Sequence, residues 1–247
     1  MFNTLARKLD QFTRLSSEDR GALAALTSER VRQFGAREDI VREGERPDHL
    51  NVFLSGWACR YKQLEDGRRQ IVAFLLPGDL CDHNGFLLRE MDHSIGALTP
   101  VTVAEVSPDA VLALEARHPR IGQALVWETL VAVATQREWT VSLGQRNALE
   151  RTAHLLCELF LRLRAVGLTD GDTCSFPITQ VEFGYATGLS NVHVNRTLQE
   201  LRAAGLVVLR DRLLTLPRLP ALMRAGLFNA NYLHIGREGR EFDAAET

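Results

Sequence analysis

The chain has 247 residues, of which 29 are lysine or arginine and 31 are aspartate or glutamate, so its formal net charge is −2. An apolar fraction of 45% and a charged fraction of 24% are ordinary for a globular protein and argue against a disordered or fibrous chain. No apolar run of about 18 residues predicts a membrane span, and residues 1–10 lack the apolar segment of a signal peptide. We therefore expect a cytoplasmic protein with no membrane partner.

The cysteines are scattered through the chain, at Cys59, Cys81, Cys157 and Cys174. They form no Cys-x-x-Cys pair, and no paired histidines follow them at zinc-finger spacing. We expect reduced thiols in a reducing compartment and no metal site.

The pattern of apolar residues in the first part of the chain changes at residue 31. Residues 1–30 have the apolar spacing of short helices, whereas residues 31–106 alternate short apolar runs with glycines about eleven residues apart. The turn Glu65-Asp66-Gly67 predicts a hairpin between residues 57–64 and 69–75. Short strands with regular turn signals favour an antiparallel sandwich or roll.

The pattern becomes helical after Pro108, first over residues 109–117 and then from Pro119 to about Gln145. The longer helix carries apolar residues on more than one face, so it must be buried on more than one side. We expect one face to pack on the roll and the other on the same helix of a second chain. The alternative is a helix buried within one large domain.

A further helix with a continuous apolar side spans residues 153–163 and ends at Gly167. Residues 168–177 are rich in Thr, Asp, Gly, Ser and Pro, which predicts a connector. Residues 217–227 predict another short helix. No internal repeat is present.

Two short helices with a tight turn are predicted from residue 179 onward. Thr179 and Glu182 have the spacing of a capping box, in which each side chain satisfies the other's backbone N–H. Gly188 predicts the left-handed residue that ends the first helix, and Ser190 caps the second. Gly184 leaves room for the second helix to cross closely. This arrangement is a helix-turn-helix.

A helical wheel divides the second helix into an inner and an outer face. Val194, Leu198 and Leu201 fall together and predict the buried side. The opposite side carries side chains that can pair with base edges, and a valine that can touch a thymine methyl group. These outer residues are Val192, Asn195, Arg196 and Gln199.

Residues 206–209 and 213–216 predict a β-hairpin "wing" around Arg210 and Arg212, whose side chains can meet phosphates. From Gly188 to Arg224 there are six arginines against two acidic residues, a local charge of +4 that the overall −2 conceals. The alternative is a helical hairpin that only packs and leaves Arg196 in solvent.

The sequence resembles the Crp/Fnr transcription regulators over nearly its whole length. The motifs are Glu43-Gly44, Ser55-Gly56, Pro77-Gly78-Asp79-Leu80, Glu150-Arg151-Thr152-Ala153-His154-Leu155-Leu156 and Gly188-Leu189-Ser190-Asn191-Val192-His193-Val194-Asn195-Arg196-Thr197-Leu198. The resemblance implies an α+β fold: an N-terminal antiparallel β-roll (jelly-roll-like), a long dimerisation helix and a C-terminal winged helix-turn-helix. It implies a homodimer on palindromic promoter DNA.

The resemblance also predicts how the chain divides into domains. We expect an effector-type β-roll domain with N-terminal helices over residues 1–117, a dimerisation helix and hinge over 118–148, and the DNA-binding domain over 149–247. The recognition helix is predicted at 190–203. The expected partners are double-stranded DNA, a second copy of the chain and RNA polymerase. The predicted DNA contacts are Thr179, Ser190, Asn191, Val192, Asn195, Arg196, Gln199, Arg210 and Arg212.

One departure from the family affects DNA specificity. The arginine at the position of Arg196 reads a guanine in this family, and it is retained here. Val192 stands where the family usually has a glutamate that reads a cytosine. We therefore expect a half-site that keeps the guanine but differs in its neighbours.

A second departure affects the effector. The positions that hold cyclic AMP in some family members are Asp82-His83 and His93-Ser94 here, and they lack the phosphate-binding arginine. We expect no tight cyclic AMP binding. The absence of clustered N-terminal cysteines argues against an iron–sulfur cluster. The candidate effector pocket is Asp82, His83, His93 and Ser94.

The identity of the effector stays open. Cys81, His83 and His93 could hold a metal ion or haem, but turn and strand-end residues are the preferred interpretation. A member without an effector is equally compatible with the sequence.

Two other function classes fit the sequence less well. A cupin-like metal enzyme needs a histidine cluster, whereas His49, His83 and His93 are far apart in sequence, and no nucleophile–base set is present. A cupin-like or cyclic-nucleotide module acting on a protein partner is the other alternative. We expect a regulator that is not an enzyme.

Overall fold

The computed structural model describes residues 3–83 and 85–236, and the chain forms two compact units. One unit comprises the described residues within 1–61, 74–133 and 234–247, and the other comprises residues 62–73 and 134–233. No helix among the described residues is both long enough and apolar enough to cross a bilayer.

Two four-stranded antiparallel sheets form the roll. Its strands are β1 (Val31–Phe34), β2 (Asp39–Val41), β3 (Leu50–Ser55), β4 (Ala58–Gln63), β5 (Arg69–Leu75), β6 (Leu80–Cys81), β7 (Ser94–Ala97) and β8 (Val101–Val106). The strand orders are β1-β8-β3-β6 and β2-β7-β4-β5, so most neighbours are distant in sequence. One buried cluster takes side chains from both sheets, including Phe53, Ile95 and Val103. Side chains that alternate between the two faces of a strand build such a core.

Four helices begin in the first unit: α1 (Thr4–Leu9), α2 (Ser17–Glu29), α3 (Pro108–Arg117) and α4 (Pro119–Gln145), which continues into the second unit. Proline at or next to the first position of α3 and α4 costs no intrahelical hydrogen bond, which explains why both helices begin there. The Lys8 ammonium group lies 2.5 Å from carboxylate oxygens of both Asp79 and Glu128. This ion pair joins α1, the turn before β6 and α4.

The second unit contains the remaining elements: α5 (Ala148–Ala165), β9 (Thr169–Asp170), β10 (Thr173–Ser175), α6 (Gln180–Thr187), α7 (Asn191–Ala203), β11 (Val208–Arg210), β12 (Leu213–Thr215) and α8 (Leu219–Ala225). A 3-10 turn follows at Ala230–Leu233. Asn147 and Glu150 form a capping box at the start of α5. The α+β fold predicted from the sequence is confirmed.

The prediction of a connector over residues 168–177 was wrong. β9 and β10 lie there and complete a four-stranded sheet of order β11-β12-β10-β9. Cys174 pairs with Leu214 on β12, and both side chains are buried. The strands are stabilised by this pairing with residues about forty positions away, which local composition does not reveal.

Candidate nucleic-acid interface

The first helix of the predicted motif begins as the sequence indicates. The Thr179 hydroxyl accepts from the Glu182 backbone N–H at 3.2 Å, and the Glu182 carboxylate accepts from the Thr179 backbone N–H at 2.7 Å. Both groups would otherwise be unpaired at the helix start. Thr179 is exposed at this N-terminus, where the helix dipole favours an anionic group.

The turn between α6 and α7 depends on two glycines. Gly188 has φ +64°, the left-handed conformation that ends α6. At Gly184 a Cβ atom would lie 2.7 Å from the Leu189 carbonyl oxygen. The close neighbour is thus the backbone of the turn, rather than the body of the second helix as the sequence predicted.

The second helix has the two faces that the wheel predicts. The Ser190 side chain accepts from the His193 backbone N–H at 3.3 Å. Val194, Leu198 and Leu201 are at most 3% exposed and anchor α7 to the unit. Thr197 is also buried, which the wheel did not predict. Burial of these apolar side chains fixes the rotation of the helix about its own axis.

The outer face of α7 is open to solvent. Val192 is 78% exposed and the Arg196 side chain is 70% exposed. The Arg196 Nε lies 3.3 Å from a Glu200 carboxylate oxygen one turn away. Asn195 approaches Gln180 of α6 at 3.5 Å, and Asn191 and Gln199 are exposed. The face therefore presents guanidinium and amide groups, which match the hydrogen-bonding pattern of base edges.

The wing is a β-hairpin with a two-residue turn. Arg210 pairs with Leu213, and the turn residues Asp211 and Arg212 have φ +52° and +60°. Positive φ at both positions is the geometry of a type I′ turn, which follows the natural twist of the strands. The Phe176 backbone N–H donates to the Arg212 carbonyl at 2.7 Å and fixes the turn. The Arg210 and Arg212 side chains are exposed.

Two of the six arginines in this region have a structural role. A guanidinium nitrogen of Arg202 donates to the Leu209 carbonyl at 3.1 Å. Arg218 donates to the carbonyls of Ala204 and Gly205. These arginines satisfy carbonyl groups near the end of α7 and in the wing. The local charge of +4 counted from the sequence thus overstates the number of guanidinium groups that are available to contact a ligand.

Arg151 is a structural residue that the sequence marked only as part of a motif. Its guanidinium group donates to the Thr187 carbonyl at 2.6 Å, at the end of α6. It also donates to the carbonyls of Leu143 and Arg146, at the end of α4. Burial lowers the pKa of Arg151. The side chain joins the end of the long helix to the helix-turn-helix.

A buried carboxylate makes a second connection within this unit. Glu158 of α5 is fully buried and accepts hydrogen bonds from Trp139 of α4 at 3.0 Å and from Tyr232 at 2.9 Å. Arg162 approaches it at 3.4 Å. Burial raises the pKa of Glu158 despite these partners. Three segments of the unit, α4, α5 and the 3-10 turn at Ala230–Leu233, therefore meet at one group.

The predicted effector residues are only partly brought together by the roll. Asp82 Oδ2 and His93 Nε2 lie 3.0 Å apart, and the Cys81 thiol donates to the same carboxylate at 2.8 Å. His83 lies apart from them, 2.9 Å from Glu115 of α3. The Ser94 hydroxyl accepts from the Glu43 backbone N–H at 3.0 Å. The predicted four-residue pocket reduces to Asp82 and His93 with Cys81 as a neighbour.

Arg60 and Asp92 complete this group, and sequence reasoning missed both. Arg60 on β4 donates to Asp82 Oδ1 at 2.7 Å and to His93 Nε2 at 3.0 Å. His93 Nδ1 lies 2.6 Å from Asp92 Oδ1. Burial alone would raise the pKa of Asp82, but the adjacent His93 and the charge of Arg60 hold it well below its usual range. The only sequence signal was the position of Asp92 beside His93.

A pocket of about 440 Å³, open to solvent, lies beside this cluster. Its wall includes Asn51, Cys81, Asp82 and Met91. Burial raises the pKa of Cys81 well above its usual value. Charged side chains in the wall are those of Glu45, Arg46, Asp48 and Asp82, and Asp82 is paired with Arg60.

A capped helix, a glycine turn, a second helix with an open polar face and a basic hairpin together define a DNA-binding transcription regulator of the winged helix-turn-helix class. Residues 31–118 match the cyclic nucleotide-binding domain family, and residues 150–225 match the Crp-like helix-turn-helix domain family. The chain belongs to the Crp/Fnr family.

Individual relatives are consistent with the assignment to this family. The transcriptional activator protein FnrL of Cereibacter sphaeroides is 27% identical over 184 residues, which is 73% of each chain. The nitrogen fixation regulation protein FixK of Bradyrhizobium diazoefficiens is 28% identical over 71% of this chain and 73% of its own. The structure of FixK2 from Bradyrhizobium japonicum has the same fold, with a TM-score of 0.70 and 23% identity over 88% of this chain and 98% of that one.

Proposed function

We propose that this regulator is a homodimer that reads palindromic promoter DNA by placing α7 in the major groove. The observation that carries the proposal is the outer face of α7, where Arg196 is open to solvent while the inner face is fully buried. A helix held in this way presents the same side chains to every site it meets. Two copies would read half-sites about 34 Å apart, one turn of the double helix.

The proposed contacts divide into two kinds. Arg196 donates to the O6 and N7 atoms of a guanine, and Val192 packs on a neighbouring base in place of a glutamate that would read cytosine. Asn191, Asn195 and Gln199 offer amide groups to base edges. The remaining polar and basic side chains contact phosphates; these are Thr179, Ser190, Arg210 and Arg212.

The dimer is proposed to form through α4. Val126, Leu130, Val133 and Val141 of this helix are between 47% and 58% exposed. Val126, Leu130 and Val133 have the spacing of one helical stripe, which a monomer would leave in water. Packing against the same stripe of a second chain would bury it.

We further propose that cyclic AMP does not bind tightly. The carboxylates of Asp82 and Asp92 flank His93, and the Arg60 guanidinium group is already paired with Asp82. A phosphate entering here would meet negative charge and no free arginine from this group. Calorimetry with cyclic AMP is expected to show no micromolar binding, and a saturable isotherm would contradict this.

The chain is proposed to divide into three functional parts. Residues 1–117 act as the effector-type domain, 118–148 as the dimerisation helix and hinge, and 149–247 as the DNA-binding domain. RNA polymerase is a partner at the promoter, and chromosomal DNA as the target implies a cytoplasmic location. The protein acts by binding and catalyses no reaction.

The decisive experiment is selection of binding sites from a random DNA library, with the full chain and with the Arg196→Ala variant. The wild type is expected to enrich a palindrome with one invariant guanine in each half-site. The variant should lose that preference and bind the site more weakly by about 1–3 kcal/mol, or roughly 5- to 150-fold.

Arg89→Ala is the matched control, because the Arg89 side chain is 96% exposed and lies in the roll. It removes the same charge and should leave both the affinity and the sequence preference unchanged. An Arg196→Ala protein with the wild-type preference would show that α7 does not read bases through this residue.

A further inference from the structure

A thiol, a carboxylate and an imidazole converge in the roll. The ligating atoms of Cys81, Asp82 and His93 all lie within 4.8 Å of one another. Ligands of a tetrahedral zinc ion, at about 2.0–2.3 Å from the metal, stand roughly 3.5 Å apart, so shifts of about 1 Å would bring the three together. We propose that Cys81, Asp82 and His93 form a binding site for a divalent transition metal ion of the zinc type. The inference departs from the sequence prediction of no metal site and does not depend on DNA binding.

The histidine is held in the orientation that metal binding requires. His93 Nδ1 lies 2.6 Å from the exposed Asp92 carboxylate, while Nε2 faces Asp82. Carboxylates behind a histidine fix the ring and its tautomer in known metal sites, leaving the other nitrogen to face the ion. Asp92 is therefore a positioning residue for His93.

Asn51 gives an independent indication that the site takes a ligand. It is 3% exposed, and its Oδ1 atom has no hydrogen-bond partner among the residues that the structure describes. It pairs with Cys81 across β3 and β6 and lines the same pocket as Cys81 and Asp82. A buried carbonyl oxygen without a donor is costly, and a water on the open position of the metal would supply that donor.

Arg60 occupies the place of the cation in the metal-free protein. Its guanidinium group donates to Asp82 at 2.7 Å and to His93 Nε2 at 3.0 Å, the same lone pairs that a metal would use. Metal binding must therefore displace Arg60 from both groups. Coordination by Cys81 also releases the thiol proton to solvent, so that the ion enters as M²⁺ and one H⁺ leaves.

The ligand set favours a particular class of ion. Thiolate and imidazole ligands suit Zn²⁺, Co²⁺ and similar ions, whereas Mg²⁺ and Ca²⁺ prefer oxygen ligands throughout. His83 does not belong to the set, because its Nε2 pairs with Glu115. Three protein ligands leave one position open, as in zinc sites that exchange a water or a small ligand.

The test is a titration of the full-length, chelator-treated protein with Co²⁺, followed by displacement with Zn²⁺. We expect one equivalent to bind with a sulfur-to-cobalt charge-transfer band, and Zn²⁺ to abolish that band. Cys81→Ser should eliminate it. Cys59→Ser is the matched control, because Cys59 is also buried in the roll but lies outside the cluster, and it should retain the band.

Two further variants separate a metal site from a purely structural cluster. Arg60→Ala should bind Co²⁺ and Zn²⁺ more tightly than the wild type, because the competing guanidinium group is gone. Asp92→Asn should weaken binding by about 10- to 100-fold, and its exposed position leaves the fold intact, as a thermal melt will check. A missing band in the wild type, a band that survives in Cys81→Ser, or an Arg60→Ala affinity no higher than that of the wild type would each overturn the proposal.

Discussion

Replacing Tyr232 by phenylalanine removes one hydrogen bond from the buried Glu158 carboxylate and leaves the ring in place. The hydroxyl lies 2.9 Å from Glu158 Oε2, and the ring stacks on His154 with centroids 5.9 Å apart. Trp139 and Arg162 remain as partners of the carboxylate. The change therefore isolates one interaction at the point where α4, α5 and the last 3-10 turn meet.

Above the folded pKa of Glu158, the cost follows from the charge and burial of the acceptor. A hydrogen bond to a charged group contributes about 1.5–3 kcal/mol to the free energy of unfolding. For a chain of this length each kcal/mol corresponds to about 2–4 °C in Tm, so we expect Tyr232→Phe to unfold about 3–12 °C below the wild type. Thermal unfolding followed by circular dichroism measures the difference.

The pH dependence of this deficit has a definite sign. Burial raises the pKa of Glu158 above its ordinary value of 4.5, so its protonated form is favoured in the folded state and stability falls as the pH rises through the folded pKa. The tyrosine hydroxyl lowers that pKa by stabilising the carboxylate. The deficit of Tyr232→Phe should therefore be smallest near pH 4.5 and should grow as the pH rises.

Tyr185→Phe provides the matched control, because the Tyr185 side chain lies on α6 and is 40% exposed. It removes the same atom and should change the free energy of unfolding by less than about 0.5 kcal/mol. Equal losses in the two variants, or a Tyr232→Phe deficit that does not vary with pH, would refute the role assigned to Glu158.

Three other changes test the interface and the dimer. Arg212→Ala should weaken binding to all DNA sequences alike and lower the slope of log affinity against log salt concentration by about 1. Fluorescence anisotropy of labelled DNA at several salt concentrations measures this slope. An unchanged slope would argue against a phosphate contact. Gly184→Ala places a Cβ atom 2.7 Å from the Leu189 carbonyl and should destabilise the protein by about 1–3 kcal/mol. Gly21→Ala in α2 meets no atom within 4 Å, so a melt should show it slightly stabilised, and equal losses would contradict the steric argument. Leu130→Glu puts a charge on the apolar stripe of α4 and should give a monomer in sedimentation equilibrium; a dimer that persists would exclude this face.

Short-range signals explain how much of the fold could be predicted from the sequence. Pro108 and Pro119 start α3 and α4, and Thr179, Gly188 and Ser190 set the limits of α6 and α7, because caps and left-handed turns depend on residues within about four positions. The inner and outer faces of α7 follow from helical periodicity alone. The helix limits and the two faces of the proposed DNA-binding surface could therefore be predicted from the sequence alone.

Long-range pairing decided the features of the fold that the sequence did not predict. β10 exists because it pairs with β12, and Arg202 and Arg218 satisfy carbonyls that only the folded wing brings near them. Asp82 is 22 positions from Arg60 and 11 from His93, and the order of the strands brings the three together. The neighbouring His83 points instead to Glu115 of α3. Strand register sets the direction of each side chain, and register depends on the packing of the whole sheet, which local spacing does not encode.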